Sequence, residues 1–221
     1  MQANTHNRDS QATDQQRRAL RRVNDALRSL IRQKMRLDAP AEHLDELAGH
    51  LEQLAANNSP YVIGRALEYY KPDHGGDINA VQPYSPISGL YNPIAPIWNY
   101  QLQSDRLTVE LTLDDVYEGP PNCIHGGIIA GVFDQLLAMF STTQGVAGPT
   151  LYLNVQYLKP TPLYQPLRFE AFIERIEGKK VFTIGQCRLG DEVLSKAEAL
   201  FINQLMTAPA ESTGEKTLHE T

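Results

Sequence analysis

A chain of 221 residues, 42% of them hydrophobic, is long enough for one globular domain and an extension. Its formal net charge of −6 argues against duplex nucleic acid as the main partner, because such binding requires a strongly basic surface. No apolar run approaches the roughly 20 residues that span a bilayer, and the polar first residues carry no secretory signal, which predicts a cytoplasmic protein.

The first 58 residues predict a disordered N-terminus, residues 1–12, followed by a helical hairpin, residues 13–58. Two apolar stripes at helical spacing are separated by a break at Ala39-Pro40. The stripes consist of Leu20, Val23, Leu27, Leu30 and Ile31 in the first helix and of Leu44, Leu47, Ala48, Leu51, Leu54 and Ala55 in the second. Two antiparallel helices joined by a short connection are the expected structure.

The first of these helices is strongly basic. Its cationic side chains are Arg17, Arg18, Arg21, Arg22, Arg28, Arg32, Lys34 and Arg36. We expect both stripes to pack on each other and on the main domain, which leaves the arginines solvated. A less favoured alternative is attraction of the basic helix to an anionic membrane surface or to the phosphates of a ligand.

Residues 59–83 predict a linker, because proline and glycine are frequent from residue 71 to residue 100 and exclude long regular elements. The tripeptide His74-Gly75-Gly76 lies here, and no apolar helix follows it. Together with Asp73 and Asp77 it could hold a metal ion, but a solvated turn is the favoured interpretation. No metal site is therefore predicted.

Beyond residue 105 the apolar period changes to two, which predicts strands with one buried face. The strand segments are 107–113, 151–155, 167–173, 181–189 and 193–202. Turn sequences at Glu177-Gly178-Lys179 and Gly190-Asp191 predict that the last three strands run antiparallel in sequence order. Residues 126–141 predict a helix that is apolar nearly all round and therefore buried.

Two other segments carry little functional signal. The cysteines Cys123 and Cys187 lack CxxC spacing, which favours reduced thiols over a disulfide or structural zinc. The polar tail, residues 206–221, predicts disorder.

The start of the apolar helix carries the most informative pattern, His125-Gly126-Gly127 followed by Asp134. The glycine N–H groups lie bare at a helix N-terminus, a site suited to a developing negative charge. Asp134 is the only acidic residue between Ile128 and Phe140, and a carboxylate in apolar surroundings is usually paired, neutralised or functional. A structural acid bonded to backbone amides is the alternative interpretation.

The pattern extends on both sides, from the segment 119–124 through Thr150 to the segments 154–157 and 159–163. With these residues, positions 84–205 resemble the hotdog-fold acyl-CoA thioesterases of the PaaI-like and THEM4-like branch. The resemblance implies an α+β hotdog fold, an antiparallel β-sheet wrapped around a long central helix, here with an N-terminal helical hairpin extension. It also implies an acyl-CoA substrate, and the expected chemistry requires no metal and no cofactor.

The resemblance also implies catalytic roles. The amide of Gly126, helped by Gly127, binds the thioester carbonyl oxygen. Asp134 is the catalytic carboxylate, either a general base that activates water or a nucleophile that forms a mixed anhydride. Thr150 holds the nucleophilic water or the carboxylate.

Three more residues are candidates with smaller roles. His125 is expected to position the loop by hydrogen bonding rather than to transfer protons. Asn122 could replace an asparagine that some relatives carry six residues before the histidine, where this chain has Gly119. Lys159 either steers the phosphates of coenzyme A or is a solvated residue at a strand end.

The spacing along the helix predicts a homodimer. Gly126 and Asp134 are eight residues apart, which corresponds to about 12 Å along a helix. One carbonyl group cannot contact both, so Gly126 of one copy must pair with Asp134 of another. A homodimer with two composite sites is expected, alone or within a dimer of dimers.

Hydrolysis of a fatty or aryl acyl-CoA is therefore the expected function. One alternative is a non-catalytic acyl-CoA-binding or scaffold module, which would not need Gly126, Asp134 and Thr150 together. A second is a hotdog hydratase or dehydratase, which would need a histidine acting with the acid, and the helix of Asp134 has none.

Overall fold

The computed structural model describes residues 14–62, 82–146 and 148–204. The helices are α1 (Asp14–Met35), α2 (Ala41–Asn58) and α3 (Gly126–Thr143), with 3₁₀ turns at Ser59–Tyr61 and Asp115–Tyr117. The strands are β1 (Asn99–Leu102), β2 (Leu107–Thr112), β3 (Thr150–Tyr157), β4 (Pro166–Glu177), β5 (Lys180–Leu189) and β6 (Glu192–Ile202). The predictions for residues 1–12, 73–77 and 206–221 lie outside the described residues.

The strands form one antiparallel sheet in the order β1-β2-β4-β5-β6-β3. All five predicted strands are present, and tight turns at Gly178 and Gly190, both at φ 57°, join β4, β5 and β6 as expected. The four-residue strand β1 was not predicted, because it directly follows the proline-rich and glycine-rich stretch. Strand β3 leaves the sequence order, since it pairs with β6 and forms an edge of the sheet.

Helix α3 packs on one face of the sheet and supplies much of the core. The ring of Phe133 meets that of Phe169 on β4 edge to face, with 5.2 Å between the ring centroids. A Cβ atom on Gly185 of β5 would lie 3.1 Å from the Phe133 ring, so the missing side chain admits the helix close to the sheet. An antiparallel sheet around a long buried helix confirms the predicted hotdog fold.

The two predicted helices of the extension are present, but α1 docks on the main domain through its polar face. Asn24 Nδ2 donates to the carbonyl oxygen of Leu90 at 2.8 Å. Arg28 Nη2 donates to the carbonyl oxygens of Asn92 and Ala95 at 3.1 and 3.3 Å. Asn24 and Arg28 are buried, with 3% and 8% of their surface exposed.

Two further arginines continue this contact as ion pairs. Arg32 Nε lies 2.5 Å from Asp114 Oδ2, and Arg36 Nε lies 2.5 Å from Asp115 Oδ2. Hydrogen bonding from Arg36 holds the pKa of Asp115 below its usual range. The expectation of solvated arginines is therefore wrong for the docked face of α1, because irregular backbone requires donors for its carbonyl groups and a guanidinium supplies several.

Most side chains of the two apolar stripes are exposed on the single chain, and none is buried. Val23 of α1 is 57% exposed, and α2 has no buried residue. The prediction that the two stripes are buried against each other is therefore wrong for the single chain. Within the described parts of the chain, no helix combines the length and apolarity needed to cross a membrane.

Removal of the Arg28 side chain should weaken this docking, because it leaves two backbone carbonyl groups without their donor. We expect Arg28→Ala to lower the free energy of unfolding by about 1–3 kcal/mol, measured by urea denaturation. Arg18→Ala, at an exposed position of the same helix, should change it by less than about 0.5 kcal/mol. Equal losses in the two variants would contradict the docking role of Arg28.

Candidate active site

The loop before α3 is held in place by His125, which caps the helix. Its backbone is extended, at φ −60° and ψ 131°, and its N–H donates to the carbonyl oxygen of Tyr117 at 2.9 Å. The imidazole Nδ1 accepts a hydrogen bond from the N–H of Gly127 at 2.9 Å. Gly127 therefore offers no free donor in this arrangement, contrary to the expectation that it helps to bind a carbonyl oxygen.

Gly126 is the first residue of α3, and its N–H has no hydrogen-bond acceptor among the described residues. This group lies at the positive end of the helix dipole, where a negatively charged oxygen is stabilised. The hydroxyl of Tyr157, the last residue of β3, donates to the Gly126 carbonyl oxygen at 2.8 Å. Tyr157 thus ties the helix start to the sheet and orients the Gly126 peptide.

A groove of ≈ 540 Å³ opens beside this free N–H. Its walls include Gly126, Tyr157 and Thr161, and Lys159 lies on its rim. Lys159 is exposed and forms an ion pair with Glu192. The exposed position agrees with a solvated residue near a strand end, and the steering of coenzyme A phosphates stays a prediction.

Asp134 lies in the middle of α3 on the face that the sheet does not bury. Its carboxylate is half-buried, and Oδ1 accepts a hydrogen bond from Thr150 Oγ1 at 2.9 Å. Thr150 is the first residue of β3, so the pairing of β3 with β6 places the hydroxyl over the helix. The other carboxylate oxygen, Oδ2, has no hydrogen-bond partner in the part of the chain that the structure describes.

The structure therefore brings together two pairs of residues at separate points of α3. Asp134 meets Thr150, and Gly126 meets Tyr157. The two pairs remain about 12 Å apart along the helix axis, because a helix rises 1.5 Å per residue. No single small group on one chain can contact both.

Asn122 does not join either pair. It occupies the left-handed region at φ 61°, and its N–H donates to Glu118 Oε1 at 2.6 Å. Its carbonyl oxygen accepts from the N–H of Leu163 at 3.1 Å. Asparagine is favoured at such a turn position, which accounts for this residue without a role in the groove.

The sequence did not reveal the contact of Tyr157 with Gly126 or the contact of Ile87 with α3. Tyr157 entered the sequence-based prediction only as the last residue of the segment 154–157 that carries the resemblance. Ile87 comes from the proline-rich stretch, and its side chain packs on Gly131 of α3. A glycine inside an apolar helix is the one sequence signal that could have pointed to this close approach.

Comparison with known proteins identifies the domain. Residues 122–196 match the profile of the Thioesterase superfamily. The chain carries a thioesterase superfamily domain. This match confirms the resemblance inferred from the segment 119–163.

Two curated relatives are similar to part of the chain. Over 101 residues the chain is 36% identical to acyl-coenzyme A thioesterase THEM4 of Mus musculus, which covers 44% of this chain and 44% of the relative. Over 87 residues it is 38% identical to the THEM4 of Xenopus laevis, which covers 38% of this chain and 39% of the relative. The chain thus spans less than half the length of either relative.

A solved structure shows a longer similarity. Protein RHA08564, a thioesterase superfamily protein, superposes with a TM-score of 0.73 at 28% identity, covering 83% of this chain and 90% of that chain. Residues 84–221 are 138 of 221 residues, or about 62%, so the superposition includes part of the first 83 residues.

Proposed function

We propose that the chain is an acyl-CoA thioesterase that acts as a homodimer with composite active sites. The hydrogen bond from Thr150 to Asp134 carries this proposal, because it orients a half-buried carboxylate on an otherwise apolar helix. Oδ2 of Asp134 has no hydrogen-bond partner among the described residues, which leaves this oxygen available to a water or a substrate carbonyl carbon. The thioesterase superfamily match supports the same reaction class.

The free N–H of Gly126 receives the thioester carbonyl oxygen as negative charge develops on it. The carboxylate of Asp134 either takes a proton from the attacking water or attacks the carbonyl carbon to form a mixed anhydride that water then opens. In both cases the C–S bond breaks, a proton passes to the sulfur of coenzyme A, and the free acid forms. Thioesters are activated enough that one donor site and one carboxylate suffice.

A second copy of the chain supplies the missing half of each site. The distance of about 12 Å along α3 prevents one Gly126 and one Asp134 of the same helix from sharing a carbonyl group. Strand β3 offers a surface for pairing with a second copy. It lies at an edge of the sheet, so one of its two sides has no partner strand, and its residue Leu151 has 63% of its surface exposed. Pairing about β3 also brings the Asp134–Thr150 face of one copy towards the other copy.

The substrate class that fits is a fatty or aryl thioester of coenzyme A. The groove beside Gly126 leads to the rim where Lys159 lies, and a cation there can attract the phosphates of coenzyme A. The free cysteines, with Cys187 buried and its thiol pKa raised by burial to about 12, suit the reducing cytoplasm that we propose as the compartment.

Removal of the carboxylate tests the role of Asp134. We expect Asp134→Asn to lower kcat by about 10²–10⁴-fold, because an amide cannot act as base or nucleophile while it still accepts the Thr150 hydrogen bond. Free thiol release from a panel of fatty and aryl acyl-CoA substrates measures the loss. The Asp134→Asn variant should still bind coenzyme A and should still form the dimer. Asp105→Asn, at an exposed turn far from α3, is the matched control.

Retained turnover in Asp134→Asn would contradict the assignment. No thiol release from any member of the panel by the unmodified protein would favour a binding module instead.

Gly126 allows a clean test of the composite site. Proline removes the N–H at the first helical position, where it is well tolerated, and His125 already has the extended backbone that precedes proline. We expect Gly126→Pro to lose about 10²–10³-fold in kcat, whereas Gly126→Ala retains the N–H and places its Cβ in ordinary contact, 3.4 Å from the Tyr157 ring.

Mixed dimers of Gly126→Pro and Asp134→Asn contain one intact composite site. Refolding the two inactive variants together in equal amounts should restore about a quarter of the unmodified activity, since half of the dimers are mixed and each has one active site of two. Mixed dimers that form but remain inactive would overturn the shared site.

A further inference from the structure

Residues 82–98, here called the strap, form an ordered irregular segment that crosses α3. The N–H of Gly89 donates to the carbonyl oxygen of Ser85 at 2.9 Å, and the N–H of Tyr91 donates to that of Pro83 at 2.8 Å. A Cβ atom on Gly89 would lie only 2.4 Å from the Ser85 backbone nitrogen, so the turn requires glycine. The strap is thus a folded element with its own hydrogen bonds.

The outer end of the strap is clamped by two elements. Helix α1 contributes Asn24 and Arg28, whose buried side chains donate to three strap carbonyl groups. The hydroxyl of Tyr117 donates to the carbonyl oxygen of Ile94 at 3.0 Å. Burial raises the pKa of Tyr117 to about 12, which keeps this donor protonated at neutral pH.

The inner end of the strap rests on α3 beside Asp134. Ser85 Oγ donates to Oε1 of Gln135 at 3.1 Å. The Cδ1 atom of Ile87 lies 2.8 Å from the point that a Cβ on Gly131 would occupy, so the absence of a side chain at Gly131 makes room for Ile87. Gln135 follows Asp134 directly, and Gly131 lies one helical turn before it.

Ile87 packs on the same side of α3 as Asp134, because Gly131 precedes Asp134 by three residues. Side chains on a helix lean towards its N-terminus, so the carboxylate of Asp134 lies over the turn that contains Gly131. Thr150 of β3 donates to this carboxylate, and Ile87 of the strap packs on Gly131 in the turn over which the carboxylate leans. An acyl group whose carbonyl carbon reaches Asp134 therefore approaches Ile87.

We propose that Ile87 forms the apolar wall of the acyl-binding site and limits the length of the acyl chain. Asn24 and Arg28 are then positioning residues, because they hold the strap that carries Ile87. The N-terminal extension thereby acquires a role in substrate selection. This inference rests on the proposed function, since it concerns the acyl group bound at Asp134.

Binding of non-hydrolysable substrate analogues tests the proposal without turnover. The probes are hexyl and dodecyl thioethers of coenzyme A, titrated by calorimetry into the 221-residue chain carrying Asp134→Asn. Adding Ile87→Ala should raise the ratio of dodecyl to hexyl affinity by at least about tenfold, because three carbon atoms of the wall are removed. Ile94→Ala is the matched control, since Ile94 belongs to the same strap but is 51% exposed.

The variant Arg28→Ala tests independently whether the contact of α1 with the strap positions Ile87. Release of the clamp should move the affinity ratio in the same direction as Ile87→Ala, whereas a purely stabilising role would leave the ratio unchanged. Retained hexyl binding shows that each variant is folded. Arg18→Ala should leave the ratio unaltered.

An unchanged ratio in Ile87→Ala, an equal change in Ile94→Ala, or no binding of either thioether would overturn the proposal. If Ile87→Ala shifts the ratio but the unmodified protein releases no thiol from acyl-CoA, the result would support Ile87 as the wall of the acyl-binding site. It would contradict only the hydrolysis proposed above.

Discussion

The rise of 1.5 Å per residue along α3 is the constraint on which the rest of the site depends. It sets the backbones of Gly126 and Asp134, which are eight residues apart, about 12 Å from each other along the helix axis. A reaction that needs both groups must therefore draw them from two helices. We propose that a second copy binds at the edge strand β3, which also carries Thr150 and Tyr157.

The N-terminal part of the chain acts on the same helix through polar contacts. Arg28 donates to strap carbonyl groups, the strap places Ile87 on Gly131, and Gly131 lies one turn from Asp134. This chain of contacts explains why a basic helix is held by its arginines rather than by its leucines. An irregular strap has carbonyl groups that no sheet or helix satisfies, and a buried guanidinium meets several of them at once.

Patterns with a fixed period allowed the sheet, the central helix and both helices of the extension to be predicted from sequence. The juxtaposition of Asp134 and Thr150 was implied by the resemblance alone, because β3 pairs out of sequence order with β6. The prediction of which face of α1 docks was wrong, because a buried arginine has no periodic signature and its acceptors lie more than sixty residues away in the sequence. The resemblance implied Gly127 as a donor, and the sequence could not show that His125 engages its N–H, because that contact depends on a side-chain rotamer. Strand β1 is too short to show a period.

The central claim is that each active site is built from two copies. A crystal structure with an acyl-CoA ketone, in which a methylene replaces the thioester sulfur, tests it most directly, because the carbonyl group is kept and cannot be hydrolysed. We predict that the ketone oxygen lies within about 3.1 Å of the Gly126 nitrogen of one copy, with the Asp134 carboxylate of the other copy facing the carbonyl carbon. A ketone bound by Gly126 with no Asp134 of a second copy beside it would contradict the account.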